Sequence, residues 1–450
     1  GAGYRGAIDA NVGSLMPSYS SLNGVPMHFG GDKGLLEKIS TTGIYDYKFD
    51  GFVVSDYAAI SKSQAKYNAL NKNSKISFID SMALEINSGV DIIMFGTDSN
   101  GFAKRYPKKF LGKQSKDMPS EYYNVKNKVA WPKTMDGGNY TDAVDMLRAI
   151  KFAVKQQKIP MSRIDQAVTR IIAVKLAMKP SMKPIDNEVV KAAVLKAAEE
   201  SMVLLKNDNN TLPINTTKIK NVVLMGAYDD IGRQNGGWTI LWQGFTGNQW
   251  WKPNSEAKKH SGATSYIEGL ENNLSEGTNF ITNFNDSKQQ LSKDDTVAVV
   301  VLSEDPYAEF NGDVDNGNPL YLSGHKKPQS KFLGLKFNNR QEAEIKKLKA
   351  KGIPIITVIQ SGRPMVITDG GDKAPLQNSD ALIAAWLPGT SGGQAVANTI
   401  TGKYKLKSFK ASIDGKEYYS NTLPFDWPKN MQEVREHTSS LFKEGYGLTN

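Results

Sequence analysis

The chain has 450 residues, enough for two or three domains, and its 39% hydrophobic and 23% charged make-up excludes a disordered or fibrous protein. It has no Cys and four scattered His (His28, His260, His325, His437), which excludes disulfides and thiolate metal sites and argues against a His-built metal cluster. A net charge of +10 invites a nucleic-acid partner, but the Lys-rich stretches 62–75 and 104–116 adjoin no nucleic-acid module and read as solvated surface. No apolar run nears the ~18 residues of a membrane span, so neither nucleic acid nor membrane is an expected partner.

In chain order, strand-like runs occur at Val12–Tyr19, Phe52–Ser55 and Val90–Phe95. Between the last two, Phe78, Ile79, Met82, Ala83 and Ile86 recur at helical spacing over Ser77–Ser88. A second helix is predicted over Ser162–Met178, with Ser162 and Asp165 as a capping-box-like start and Ile164, Val168, Ile171 and Ile172 on its apolar face. KPSMKPID (179–186) reads as a linker, followed by a predicted helix over Lys191–Lys206. Further strands are predicted at Val222–Ala227, Thr296–Ser303, Ile355–Ser361 and Ala381–Leu387, with a weaker one near Phe280–Phe284. Continuous apolar strands spaced by helices indicate an α/β protein with a largely parallel sheet covered on both faces.

Long polar or aromatic segments follow the strands' carboxyl ends, where parallel α/β folds place ligands. Asp56 ends the run GFVVSD, where a barrel strand would present a catalytic carboxylate, although its position alone fits a helix cap equally well. The segment EDPYAEFNGD (304–313) gathers Glu304, Asp305, Glu309 and Asp313; by composition a cation site or a solvated loop fits it better than catalysis. Glycosidic hydrolysis, however, needs two carboxylates, and a loop from a second domain can supply the partner. In GGWTILWQG (236–244), Trp238 and Trp242 are either packed loop core or a platform for a sugar ring.

The ordered motifs GFVVSDY, ESMVLLKNDNNTLPI, GGWTILWQG, EDPYAEFNGD, SGRP and AAWLPGTSGGQA resemble glycoside hydrolase family 3, nearest its exo-acting β-glucosidase and β-glucan exohydrolase branch. The resemblance covers essentially the whole chain. It implies the C-terminal part of a (β/α)8 barrel over 1–178, a linker and lead-in helix over 179–199, and an α/β sandwich domain with a mostly parallel sheet over 200–450. By it Asp56 is the nucleophile and Glu309 the acid/base from the second domain, with Glu304 as a supporting acid. Trp242 is one wall of an aromatic clamp whose other wall, usually Trp, is here Tyr57, and Met16 and Tyr19 line the nucleophile's pocket.

The implied reaction is retaining exo-hydrolysis of a β-glucoside or β-glucan oligosaccharide with no cofactor and no metal. It asks for carboxyls about 5–5.5 Å apart and a Glu309 that starts protonated. The family's early barrel strands and sugar-gripping groups have no counterpart here, so this chain alone is expected to be weakly active or inactive, the missing part being a second chain, a cleaved segment or absent. The first residue, Gly1, is expected to be a processed or truncated end. β-Xylosidase or another family 3 glycosidase activity, and a non-catalytic carbohydrate-binding remnant of the fold, are the alternatives. An extracellular or periplasmic protein is implied, and the basic segment 97–140 is expected to border the active-site mouth or to form a peripheral insertion.

Overall fold

The computed structural model describes residues 2–23, 25–29, 34–36, 38, 49–94, 143–178, 186–239, 242–249, 251, 262–284, 290–308, 335–407, 409–413, 416–436 and 438–450. The chain divides into two compact units, Gly1–Lys183 and Pro184–Asn450. No helix among the described residues is long and apolar enough to cross a membrane.

In the first unit, β1 (Ser14–Leu15) runs parallel to β4 (Phe52–Val53), and Val54 bridges Ile92 in the same sense. The three runs expected as strands therefore lie side by side, though their paired portions are short. A small antiparallel hairpin, β2 (Ser21–Leu22) with β3 (Val25–Pro26), lies between β1 and β4 in the chain. Gly51 lets β4 enter: a Cβ there would lie 2.4 Å from the Gly13 carbonyl oxygen and from the Phe49 ring. The helix expected over Ser77–Ser88 spans Phe78–Asn87, and Ser77 and Asp80 close a reciprocal capping box. Its apolar face packs with Ile60, Met146, Ala149 and Ile159.

The next expected helix spans Met161–Ala177, with Pro160 at its N-cap. Ser162 therefore lies inside the helix and caps nothing. Only half of its expected apolar face turns inward: Ile164 packs against the unit's core and Ile171 is half-buried, Val168 and Ile172 are exposed, and Arg163 and Ala167 are the buried residues. The reason is electrostatic. Arg163 inserts to meet Asp91 at 2.7 Å and the carbonyls of Ile86 and Val90, and that contact sets the helix rotation.

The second unit is built on a six-stranded sheet of order β5-β10-β9-β8-β6-β7. Its strands are β5 (Val203–Asn207), β6 (Asn221–Gly226), β7 (Asn279–Ile281), β8 (Thr296–Ser303), β9 (Ile355–Gln360) and β10 (Ala381–Ala384). All neighbours pair in parallel except β5, which pairs antiparallel with β10. Alternate residues feed two separate cores. Ala298, Val300 and Leu302 pack on one face, while Val297, Val299 and Val301 pack on the other. A hairpin, β11 (Phe409–Ile413) with β12 (Lys416–Ser420), follows near the C-terminus.

The helix expected over Lys191–Lys206 instead spans Asn187–Ser201, and Val203–Lys206 belong to β5. Val203 and Leu205 enter one core and Leu204 the other. Burial on opposite faces by successive residues fits a strand of a sheet covered on both faces, even at its edge, and not the end of a surface helix.

Two buried groups of the first unit give its stability a pH dependence. Glu85 is fully buried on the Phe78–Asn87 helix, and neither of its carboxyl oxygens has a hydrogen-bond partner among the described residues. Burial pushes its pKa up to about 8, with the nearby Ser55 hydroxyl offsetting this only in part. That hydroxyl donates instead to the Asp56 carbonyl at 3.0 Å. A folded pKa raised above the ordinary value of 4.5 means that the stability Glu85 contributes is full below that pH and lost as pH climbs toward 8.

His28 acts in the opposite direction: burial lowers its pKa from 6.5 to about 4, so stability is lost as pH falls through that window. The two slopes cancel between about pH 4.5 and 6.5, and stability falls on either side. Glu85→Met is expected to remove the alkaline decline and to add about 2–3 kcal/mol at pH 7. Urea unfolding across pH measures this, and an unchanged alkaline slope would refute it.

Candidate active site

The first unit presents Asp56 just beyond the carboxyl end of β4. The helix that follows, Ala59–Leu70, is capped at Ala58, which makes no side-chain cap bond. The Asp56 carboxylate is therefore not a helix cap. Its Oδ1 accepts the Tyr57 N–H at 2.6 Å, and among the described residues it makes no ion pair. Ala58 holds a left-handed φ of 53°, a conformation that costs a non-glycine residue about 1–2 kcal/mol, so the turn behind the carboxylate is strained.

Three side chains, His28, Tyr19 and Lys62, gather at that turn. The Asp56 N–H donates to His28 Nε2 at 3.1 Å. The Tyr19 hydroxyl donates to the Tyr57 carbonyl, and Lys62 Nζ donates to the Tyr19 hydroxyl at 2.8 Å. The Tyr19 and His28 rings lie 5.5 Å apart between centroids. Met16 and Tyr57 are exposed at 42% and 49%, apolar and aromatic surface available to a ligand. Tyr19 thus joins Asp56 in one cluster, and Tyr57 forms its open side. His28 was visible in the sequence only as one of four scattered histidines, because nothing local ties it to a strand that follows about two dozen residues later.

In the second unit, the strand sequence reverses direction between β6 and β8, and ligands of doubly wound sheets settle at the carboxyl ends of strands beside such a switch. The segments after those two strands carry the aromatic and acidic residues. Trp238 N–H donates to the Trp242 carbonyl at 2.9 Å, and the two indoles lie 6.3 Å apart at 58°. Both are exposed, Trp238 at 69% and Trp242 at 44%, which excludes the packed-core reading.

The acidic segment after β8 is docked against this turn. Ala308 N–H donates to Gln243 Oε1 at 2.9 Å. Glu304 accepts from Gly362 N–H at 2.9 Å and from Arg363 at 3.2 Å. The Tyr307 hydroxyl, its pKa raised by burial and by the Glu304 charge, reaches the same carboxylate at 3.4 Å. Asp305 pairs with Arg233 at 2.6 Å, and Arg233 also binds Asp230 at 2.6 Å. Both described acids of the cluster are thus matched by arginine. No group of three His, Asp or Glu side chains among the described residues is arranged to hold a metal ion. Glu309 and Asp313 lie outside the described residues, as does 97–140.

Gly237 makes the docking possible, since a Cβ there would lie 2.0 Å from the Tyr307 carbonyl oxygen. Gly237→Ala is expected to push the 304–308 segment off the tryptophan turn and to cost about 1–3 kcal/mol. Tryptophan fluorescence and thermal unfolding would register both effects; a variant matching the parent in both would disprove this docking. Arg233, Gln243 and Arg363 were not singled out from the sequence. SGRP stands out as a motif, but the partner of its arginine, Glu304, lies at the end of another strand.

Residues 202–450 match the glycosyl hydrolase family 3 C-terminal domain, and residues 1–110 match the glycosyl hydrolase family 3 N terminal domain. The periplasmic beta-glucosidase of Salmonella typhimurium is 24% identical over 99% of this chain and 53% of its own length. A beta-xylosidase of Formosa agariphila is 24% identical over 88% of this chain and 46% of its own. Among solved structures, the exo-1,3/1,4-beta-glucanase of a Pseudoalteromonas species aligns with all of this chain and 46% of that one, at 26% identity and a TM-score of 0.62. The chain spans about half the length of these relatives. The C-terminal match alone accounts for more than half of the sequence, and the chain belongs to glycosyl hydrolase family 3.

Proposed function

We propose that the protein carrying this chain is a retaining, exo-acting β-glycosidase that releases glucose from β-glucosides or β-glucan oligosaccharides. The observation that carries this reading is the Asp56 carboxylate, set beyond a parallel strand, absent from the helix cap and free of ion pairs among the described residues. Asp56 attacks the anomeric carbon as the glycosidic C–O bond breaks, while Glu309 gives its proton to the departing oxygen. Water, deprotonated by Glu309, then displaces Asp56 and restores the β configuration. Glu304, already bound by Arg363 and Gly362, is better suited to hold the loop than to move a proton. Trp238 and Trp242 offer an apolar platform for the leaving sugar, and Tyr57 offers a narrower one than tryptophan. In this reading the first unit is the C-terminal part of a (β/α)8 barrel. The exposed stripe Met161, Val168, Ile172 and Leu176 supports further chain packing upon it, from this protein or a partner.

The reaction is tested by following hydrolysis of an aryl β-glucoside by proton NMR. The β-anomer of glucose should appear first and mutarotate later; α-glucose as the first product would reject the retaining mechanism. A β-xyloside run in parallel addresses the second reading, favoured by the beta-xylosidase relative, through the ratio of the two kcat/KM values.

A further inference from the structure

His28 is buried to 1% exposure, beneath the turn that carries Asp56. Its Nε2 accepts the Asp56 N–H at 3.1 Å, so the ring is neutral and its proton sits on Nδ1. That Nδ1 is itself buried with no hydrogen-bond partner among the described residues. An unsatisfied buried donor costs about 1–3 kcal/mol, so an apolar side chain of similar size would suit packing alone better than histidine. The Asp56 amide is the only hydrogen-bond partner of His28 among the described residues.

We propose that His28 is the positioning residue of the nucleophile, holding the Asp56 N–H on its Nε2 and thereby keeping that N–H away from the reacting carboxylate. The proposal rests on the reading of Asp56 as nucleophile. The carboxylate already accepts one neighbouring amide, that of Tyr57, through Oδ1 at 2.6 Å. Without an acceptor beneath it, the Asp56 N–H would turn toward its own side chain or leave the turn free to rotate. A second hydrogen bond would stabilise the charged carboxylate and blunt its attack, while rotation would misplace it. A displacement of about 1 Å is enough to cost on the order of 100-fold in rate. Tyr19 supports the same turn from the other side by donating to the Tyr57 carbonyl, and its ring packs beside that of His28.

The test compares the parent with His28→Leu, which has no acceptor, and His28→Gln, which restores one. The rate of covalent trapping by a 2-deoxy-2-fluoro aryl β-glucoside reports attack by the nucleophile, and inhibition by glucose reports binding. Trapping is expected to slow about 10–100-fold in His28→Leu with the glucose inhibition constant unchanged, and to recover at least in part in His28→Gln. Equal trapping rates, or a matching loss of glucose binding, would overturn the proposal. Peptide mass spectrometry of the trapped parent separates the two claims: a label on a residue other than Asp56, or no label, overturns the nucleophile assignment itself. Nitrogen NMR of histidine-labelled protein at pH 6 decides the His28 contact without turnover or folded variants. The Nδ1–H tautomer is expected, and an Nε2–H tautomer would overturn the contact.

Discussion

Asp56→Ala is expected to fold like the parent and to lower turnover of an aryl β-glucoside by about 10,000-fold, roughly 5.5 kcal/mol of barrier. The carboxylate makes no ion pair and caps no helix among the described residues, so its loss removes chemistry and little structure. Glu309→Ala is expected to behave differently. General acid assistance is worth about 100- to 10,000-fold where the leaving group is poor, and almost nothing where it departs readily as dinitrophenolate. The acid/base variant should therefore keep a fast first step with a dinitrophenyl glucoside and accumulate glycosyl-enzyme. Azide sharpens the contrast: it should rescue Asp56→Ala to give the α-glycosyl azide and Glu309→Ala to give the β-glycosyl azide. Equal losses in Glu309→Ala for both leaving groups would remove Glu309 from the acid/base role.

How much of this was legible in the sequence follows from what each feature depends on. The strands of the second unit were readable because burial on both faces leaves continuous apolar runs such as TVAVVVLS, and β8 spans Thr296–Ser303 as expected. Val203–Lys206 reads as helix in the sequence because its apolar residues adjoin a helix without a glycine or proline to mark the break, and only pairing with β10 makes it a strand. The helix over Met161–Ala177 was found from its period, but its rotation was not, because a buried arginine rather than the aliphatic stripe decides it. At the candidate site, Asp56 stood out because a strand ends there, and the paired tryptophans because their spacing is local. His28, Arg233 and Arg363 act across segments joined only by the fold, and their contacts leave no local pattern to read.

Asp91→Ala is expected to destabilise the first unit by about 3–5 kcal/mol, because it strips the partner from buried positive charge. Its fully buried carboxylate accepts Arg163 Nη2 at 2.7 Å through Oδ1, and the Val53 N–H at 2.9 Å and Arg170 at 3.4 Å through Oδ2. Arg163 is itself buried and also donates through Nε to Ile86 O at 2.8 Å and through Nη2 to Val90 O at 3.0 Å. The aspartate thus ties β4, which leads to Asp56, to the Phe78–Asn87 and Met161–Ala177 helices. Asp91→Asn keeps an acceptor for the Val53 N–H and should lie between parent and Ala variant. The double variant Asp91→Ala, Arg163→Met removes both members of the closest pair, so its loss should be smaller than the sum of the single losses. Urea unfolding of the parent, Asp91→Ala, Arg163→Met and the double variant closes this cycle. A single-variant loss under about 1 kcal/mol would mean that solvent reaches the pair, and strand β4 would then owe its position to the packing of Leu36, Phe49, Val53 and Val90 alone.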